Sequence, residues 1–262
     1  MKRYLRIYGL LLKLNLSSLL AYRANLINSA IATLGWGVVS IITMYLLTFR
    51  TSSVYGWKPY ELILASGIYS ILIGIFHMFF SRNFETFSRT IHLGQLDSIL
   101  LKPLDTQFTM SMWTFRFTNI FRVLFGIIFV SIMMNISHLS LSFFQWILFI
   151  ILFGSSLMLL YAIWFSISTL TIWFTNLSNV IDFLYTISNL GRYPPEMIEH
   201  TKNLFLYIFL PLSLLATVPT KLILHKLNIL EGLLLFVCST ILFYLSRKFW
   251  QFALRFYTSA SG

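Results

Sequence analysis

Apolar stretches long enough to cross a lipid bilayer follow one another along this chain of 262 residues. A membrane-spanning helix needs about 20 apolar residues, so six spans use about half of the chain and leave no room for a large soluble domain. Only 10% of the residues are charged, whereas soluble domains contain about 25%. The sequence therefore predicts an all-α integral membrane protein, a single transmembrane domain over residues 1–262. The six predicted spans are Leu26–Phe49, Tyr60–Phe80, Ile120–Met134, Phe143–Phe165, the short Val180–Leu190 and Leu230–Leu245.

The distribution of positive charge predicts the orientation of the spans. If the N-terminus is inside, most of the 19 Lys and Arg residues fall on the inner side. Arg122, near the start of the third span, is counted with these inner cations. The positive-inside rule then places both termini in the cytoplasm. The net charge of +11 is thus explained by a membrane face, and we predict no nucleic-acid partner.

Residues 192–228 do not fit a simple count of spans. The apolar piece Leu204–Val218 is shorter than the about 20 residues of a straight span. Prolines stand at positions 194, 195, 211 and 219, and broken backbone at membrane depth requires surrounding protein or a water-lined cavity. We predict short re-entrant or interfacial helices on the outer side. The alternative is a seventh, short span, which the charge bias opposes because it places the basic C-terminal tail outside.

Two further segments are predicted on the inner side. Residues 1–22 place leucines near one helical face and cations mostly off it, which is typical of a helix in the headgroup plane. This segment is alternatively an inward extension of the first span. Residues 81–118 form a connection so long that a function is expected for it. Apolar and charged residues alternate there, which indicates either a docking surface for another protein or an elbow helix on lipid.

Motifs for catalysis, metals or cofactors are missing from the sequence. It contains no Gly-x-x-x-x-Gly-Lys-Ser/Thr, no His-Glu-x-x-His and no Gly-x-Ser-x-Gly. Its single cysteine, Cys238, excludes a disulfide framework and a thiolate metal site. We therefore predict that the chain is not an enzyme and has no catalytic, metal or cofactor site. Asp182, the acidic residue well inside a predicted span, indicates either a functional intramembrane carboxylate or a helix-end carboxylate near the inner interface.

Three motifs give the sequence a family resemblance: YRAN from Tyr22, GQLDSILLKPL from Gly94 and GRYPPEMI from Gly191. In this order and spacing they resemble the permease subunits of bacterial type-2 ABC exporters, in the six-span subfamily. The resemblance covers nearly the whole chain. It implies a bacterial inner-membrane protein in which two permease chains, identical or related, form the pathway. It also implies that a separate ATPase dimer hydrolyses ATP.

The resemblance also implies roles for two groups of residues. A cytoplasmic coupling helix between spans 2 and 3 contacts the ATPase, and Asp97 and Lys102 are expected to pair with charges there. The outer re-entrant helices between spans 5 and 6 gate the exit. The coupling residues are Gly94, Leu96, Asp97, Leu101, Lys102 and Pro103, and the outer-gate residues are Arg192, Tyr193, Pro194, Pro211 and Pro219.

Two rival functions remain open at the level of sequence. One is an ATP-independent channel or secondary transporter, and the other is a membrane scaffold that recruits partners through residues 81–118. The substrate is not identified, because the aromatic content suits an amphiphile as well as it suits helix packing and interface belts.

Overall fold

The computed structural model of the chain describes residues 2–21, 23–174, 179–199 and 210–258. Within these ranges the chain is helical and contains no β-strand. Tyr22 of the YRAN motif and residues 200–209 of the predicted re-entrant segment lie outside the described residues. In chain order the helices are α1 (Lys2–Ala21), α2 (Arg23–Thr48), α3 (Pro59–Phe76), α4 (Arg82–Glu85), α5 (Phe87–His92), α6 (Gln95–Leu100), α7 (Thr106–Ser111), α8 (Ile120–Ile136), α9 (Phe143–Thr169), α10 (Val180–Ser188), α11 (Pro195–Glu199), α12 (Leu210–Ile223) and α13 (Ile229–Ala253).

The predicted all-α membrane fold is confirmed. Five of the described helical stretches are long and apolar enough to cross a membrane, and they contain α2, α3, α8, α9 and α13. The fifth predicted span, Val180–Leu190, differs from the prediction. It forms the nine-residue α10 and then a 3-10 turn, Asn189–Arg192. This helix is too short to cross a bilayer alone, since a span needs about 20 residues.

Helix α12, in the predicted re-entrant segment, is enclosed by protein. It packs against α3, α9, α13 and the Asn189–Arg192 turn. Leu212, Leu215 and Val218 are at most 1% exposed, and a helix that is apolar all round is expected to be buried. At the C-terminal end of α12, Lys226 reaches Glu61 near the start of α3. We refer to this end of the bundle as the predicted outer end.

Helices α3 and α8 approach each other closely at three glycines. A Cβ added at Gly67 would lie 2.9 Å from the side chain of Val130, and one at Gly74 would lie 2.9 Å from that of Val123. On the facing helix, a Cβ at Gly126 would lie 2.7 Å from Cγ1 of Ile71. Small residues are typical of helix contacts in membranes, because they let two backbones pack at short distance.

A π-helical turn, His77–Ser81, continues α3 towards the inner segment. Beside it, aromatic side chains of α3, α4 and α9 form the centre of the core, with Phe76 and Trp164 in edge-to-face contact. Trp164 and Phe165 are completely buried. Part of the high aromatic content is therefore used for packing between the spans and the inner segment.

Candidate functional site

The inner segment, residues 81–118, forms four short helices, α4 to α7. Gly94 adopts a left-handed conformation (φ 67°) that separates α5 from α6, and glycine reaches this conformation without strain. Leu96 is completely buried, which fixes α6 against the rest of the segment. Leu101, at the C-terminal end of α6, is 86% exposed. Leu93 and Leu100 are also exposed, at 56% and 40%, so Leu101 is the most exposed of several apolar side chains on this segment.

Asn83 ties the two ends of the inner segment together. Its Oδ1 accepts hydrogen bonds from the backbone N–H of Trp113 (3.2 Å) and of Thr114 (2.9 Å). Its Nδ2 donates to the carbonyl oxygen of Thr114 at 2.9 Å. Asn83 is 4% exposed, so these bonds are shielded from water. Because the start and the end of the segment are joined, it can move as one unit.

Asp105 connects the inner segment to α13. Its carboxylate accepts hydrogen bonds from the Phe108 backbone N–H at 3.0 Å and from Arg247 at 2.7 Å. Partial burial raises the pKa of Asp105, but the hydrogen bonds from Arg247 and Phe108 outweigh it, so this pKa lies below its usual range. Nearby, Trp250 Nε1 donates to Thr106 Oγ1 at 2.9 Å.

Helix α1 packs against the inner segment from the other side. The Tyr4 hydroxyl accepts a hydrogen bond from the backbone N–H of Asp105 at 3.1 Å. Asn15 Oδ1 accepts one from the Phe115 N–H at 3.2 Å, and the rings of Tyr8 and Phe115 meet edge to face. Helix α1 therefore contacts the inner segment through Tyr4, Tyr8 and Asn15.

The two charged residues expected to face the ATPase already have neighbours within this chain. Lys102 Nζ lies 4.0 Å from the centre of the Trp113 ring, a cation–π contact. Asp97 lies beside the hydroxyl of Tyr257. Burial and this neighbouring carboxylate raise the pKa of the Tyr257 hydroxyl. Pro103 follows α6 and is exposed. The six predicted coupling residues lie within positions 94–103, from the turn before α6 to just after it, and among them Leu96 is buried whereas Leu101 is 86% exposed.

An ionic cluster that the sequence did not predict lies at the predicted outer end. Lys221 Nζ is 2.7 Å from Glu196 Oε1 and 2.7 Å from Glu231 Oε1, so it joins α11, α12 and α13. Lys226 pairs with Glu61 at 2.6 Å, although Glu61 is only 1% exposed. The partners are far apart in sequence, and the only signal for them was the presence of single charged residues at the ends of apolar runs.

The predicted outer-gate residues fall on neighbouring elements but have different surroundings. Arg192 ends the Asn189–Arg192 turn, with its guanidinium 5.0 Å from the ring of Tyr193, and Pro194 is buried just before α11. Pro211 and Pro219 both lie in α12. The preceding residue, Gly191, packs against α12, because a Cβ there would lie 2.9 Å from the Leu215 side chain. The two predicted gate stretches are therefore in direct contact.

Arg192 also lines a cavity of about 1070 Å³ between α2, α3, α8 and α10. Arg122, which the charge count places with the inner cations, lines the same cavity. Arg122 lies within the bundle, is 9% exposed and donates through Nε to Ser70 Oγ at 3.2 Å. The sequence signal was its position inside the apolar run of the third span, where a charge is costly and indicates function.

Asp182 lines the same cavity from the first turn of α10. This position is consistent with a helix-end carboxylate. Within the described ranges it forms no ion pair. Towards the inner segment, Glu85 is paired with Arg116 at 2.8 Å and accepts a hydrogen bond from the Tyr185 hydroxyl at 2.7 Å. The cavity therefore has a polar lining within an otherwise apolar bundle.

The described part of the chain contains no group of three or more His, Cys, Asp or Glu side chains able to hold a metal ion. A family model described as "ABC-2 family transporter protein" matches residues 34–261, which is most of the chain. Comparisons with curated proteins and with solved structures give no match.

Proposed function

The chain belongs to the ABC-2 family of transporter proteins and is a multi-pass membrane permease subunit, and from this premise we propose how it works. Two permease chains, identical or related, form the substrate pathway in a bacterial inner membrane. A separate ATPase dimer binds the inner segment and drives export. ATP hydrolysis takes place on the ATPase, whose conformational change is transmitted to the spans.

One observation carries this proposal: Leu101 is 86% exposed on a segment that is fastened to the bundle. Movement of an ATPase reaches the spans only through a stiff contact. Asn83 closes the segment on itself, and Asp105 joins it to Arg247 of α13. A leucine that is 86% exposed on an otherwise tied segment is a suitable anchor for an apolar pocket on a partner.

The test is to purify the permease with its ATPase and to compare wild type with Leu101→Asp. We expect the variant to insert normally, because the side chain packs against little of its own chain. It should lose most of the co-purifying ATPase, or retain it with hydrolysis uncoupled from transport. The matched control is Leu230→Asp, which places the same substitution at an exposed leucine (69%) at the predicted outer end. This control should keep both binding and coupling.

Unchanged ATPase binding and transport in Leu101→Asp, at normal expression, contradict the coupling proposal. Transport that continues without any ATPase favours the channel or secondary-transporter function. A partner that binds at Leu101 but is indifferent to nucleotide favours the scaffold.

The same proposal places the inner segment and both termini in the cytoplasm and the ionic cluster of Lys221 outside. A cysteine introduced as L101C should react with a membrane-impermeant maleimide in inverted vesicles and not in intact cells. A cysteine introduced as S53C, in the exposed turn before α3, should show the opposite pattern. Reaction of L101C in intact cells contradicts this orientation.

A further inference from the structure

The cavity between α2 and α10 contains two arginines that lack a carboxylate partner in the described structure. Arg122 is bonded to the neutral Ser70 hydroxyl, and Arg192 contacts the ring of Tyr193. Nε of Arg192 is buried without a hydrogen-bond partner, as is Nε2 of His77 in the same cavity. Buried polar atoms normally have partners, so these donors and acceptors indicate a site that a ligand completes.

The charge of the cavity is positive. Asp182 is the acidic residue in its lining, whereas Arg82, Arg116, Arg122 and Arg192 all contribute to it. Glu85 compensates Arg82 and Arg116 from just outside the lining, but it does not pair with the other two arginines. Two guanidinium groups without a carboxylate partner raise the electrostatic energy of the empty site, and an anion lowers it.

The walls of the cavity are partly apolar, and the wall formed by α2 is exposed at the surface of the chain. Helix α2 supplies Trp36 and Val39, which are 68% and 52% exposed. Only a small share of this helix is buried, so a ligand bound at the arginines can extend an apolar part along it. A volume of about 1070 Å³ is large for a small ion and is at the upper end for ligand pockets, about 300–1,000 Å³.

We propose that this cavity binds an amphiphile with an anionic head group, a phosphate or a carboxylate, whose head contacts Arg122 and Arg192 and whose apolar part lies against α2. The planar guanidinium matches both head groups, because it donates two parallel hydrogen bonds to a pair of oxygens. This inference rests on the proposed function and gives its substrate class. Asp182 stands at the cavity as an opposing charge and weakens the binding of the head group.

The test measures binding directly and needs neither ATPase nor transport. Radiolabelled dodecyl phosphate is titrated onto the full-length protein in phosphatidylcholine nanodiscs, with empty nanodiscs as background. Dodecyltrimethylammonium, which has the same chain and the opposite charge, is a competitor, and inorganic phosphate is a second competitor. We expect dodecyl phosphate to bind at least about tenfold more tightly than either, since charge-assisted hydrogen bonds and apolar contact both contribute.

The variants separate the charge of the site from its fold. Arg192→Gln and Arg122→Gln should each weaken dodecyl phosphate at least about tenfold, while Arg192→Lys, which keeps the charge, should lose less. Asp182→Asn should strengthen binding a few fold, because it removes a repelling charge. The matched control is Arg50→Gln, an exposed arginine in the turn after α2, which should leave binding unchanged.

Several outcomes overturn the inference. These are equal binding of the two dodecyl amphiphiles, unchanged affinity in both glutamine variants, or weaker binding in Asp182→Asn. Inorganic phosphate that competes as strongly as dodecyl phosphate binds would show a site for a simple anion, which also overturns the inference of an amphiphile. Because Asp182→Asn predicts a gain, a variant that merely misfolds cannot produce the expected pattern. Unchanged ATPase binding and coupling in Leu101→Asp, together with the expected pattern of dodecyl phosphate binding, would count against the proposed function alone.

Discussion

Lys221 holds three helices together at the predicted outer end, and replacing it tests how much this contact stabilises the fold. The substitution Lys221→Met keeps a long apolar side chain and removes the ammonium group that contacts Glu196 and Glu231, each at 2.7 Å. Both carboxylates then lose their cation. Oε2 of Glu231 is already buried without a hydrogen-bond partner, so this group has little other compensation.

The size of the effect follows from the burial of the three groups. Removing one partner of a fully buried ion pair costs about 3–5 kcal/mol, because the other charge stays buried. Here the side chains of Glu196 and Glu231 are 32% and 27% exposed, so water recovers part of the loss. We therefore expect a destabilisation of about 2–3 kcal/mol. At roughly 2–4 °C per kcal/mol for a chain of this size, the Tm falls by about 4–12 °C.

The assay is thermal unfolding of the purified protein in a nonionic maltoside detergent, followed by tryptophan fluorescence. Lys58→Met, which removes an exposed lysine at the same end, is the control and should leave Tm unchanged. The triple variant Lys221→Met, Glu196→Gln, Glu231→Gln should recover much of the loss, because no unpaired charge remains. A triple variant that melts as low as Lys221→Met, or a Lys221→Met variant that melts like wild type, would refute this reasoning.

Three further predictions concern packing and the inner segment. Gly126→Val should destabilise the fold by about 1–3 kcal/mol and lower Tm by several degrees, since the added Cβ lies 2.7 Å from a side chain of α3. The control is Gly154→Val, where the added side chain points into open space and Tm should stay unchanged. Asn83→Ala should cost about 1–3 kcal/mol, because it leaves partly buried backbone groups at Thr114 unpaired, and limited proteolysis should cut the inner segment faster. Asp105→Ala should cost about 1 kcal/mol through loss of the N-cap of α7, whereas Asp105→Asn, which keeps a capping side chain, should lose less in the same thermal assay. An unchanged Tm in Gly126→Val or Asp105→Ala, or unchanged cleavage of Asn83→Ala, contradicts the corresponding argument.

The spans and the inner segment were predictable because each depends on a local pattern. An apolar run of about 20 residues has few structures available to it in a membrane, so α2, α3, α8, α9 and α13 follow directly from hydropathy. Gly94 and Pro103 similarly marked the region of α6. These signals lie within the element that they predict.

The features that sequence reasoning missed depend on contacts between distant parts of the chain. Glu61 and Lys226 are separated by 165 positions, so neither residue indicates the other. An apolar stretch such as α12 has the same composition whether it faces lipid or protein, and only its neighbours decide its burial. The charge count places Arg122 with the inner cations, but nothing local in the sequence indicates its hydrogen bond to Ser70 of α3, 52 positions away.

The π-helical turn His77–Ser81 sets the direction in which the inner segment leaves the bundle. A π turn contains about one residue more than an α turn, which rotates everything after it by about 100° around the helix axis. Deleting one residue from this turn would swing Asn83 and Glu85 to another side of α3, away from Thr114 and Arg116. The one extra residue of this turn therefore determines on which side of the bundle the inner segment, including Leu101, lies.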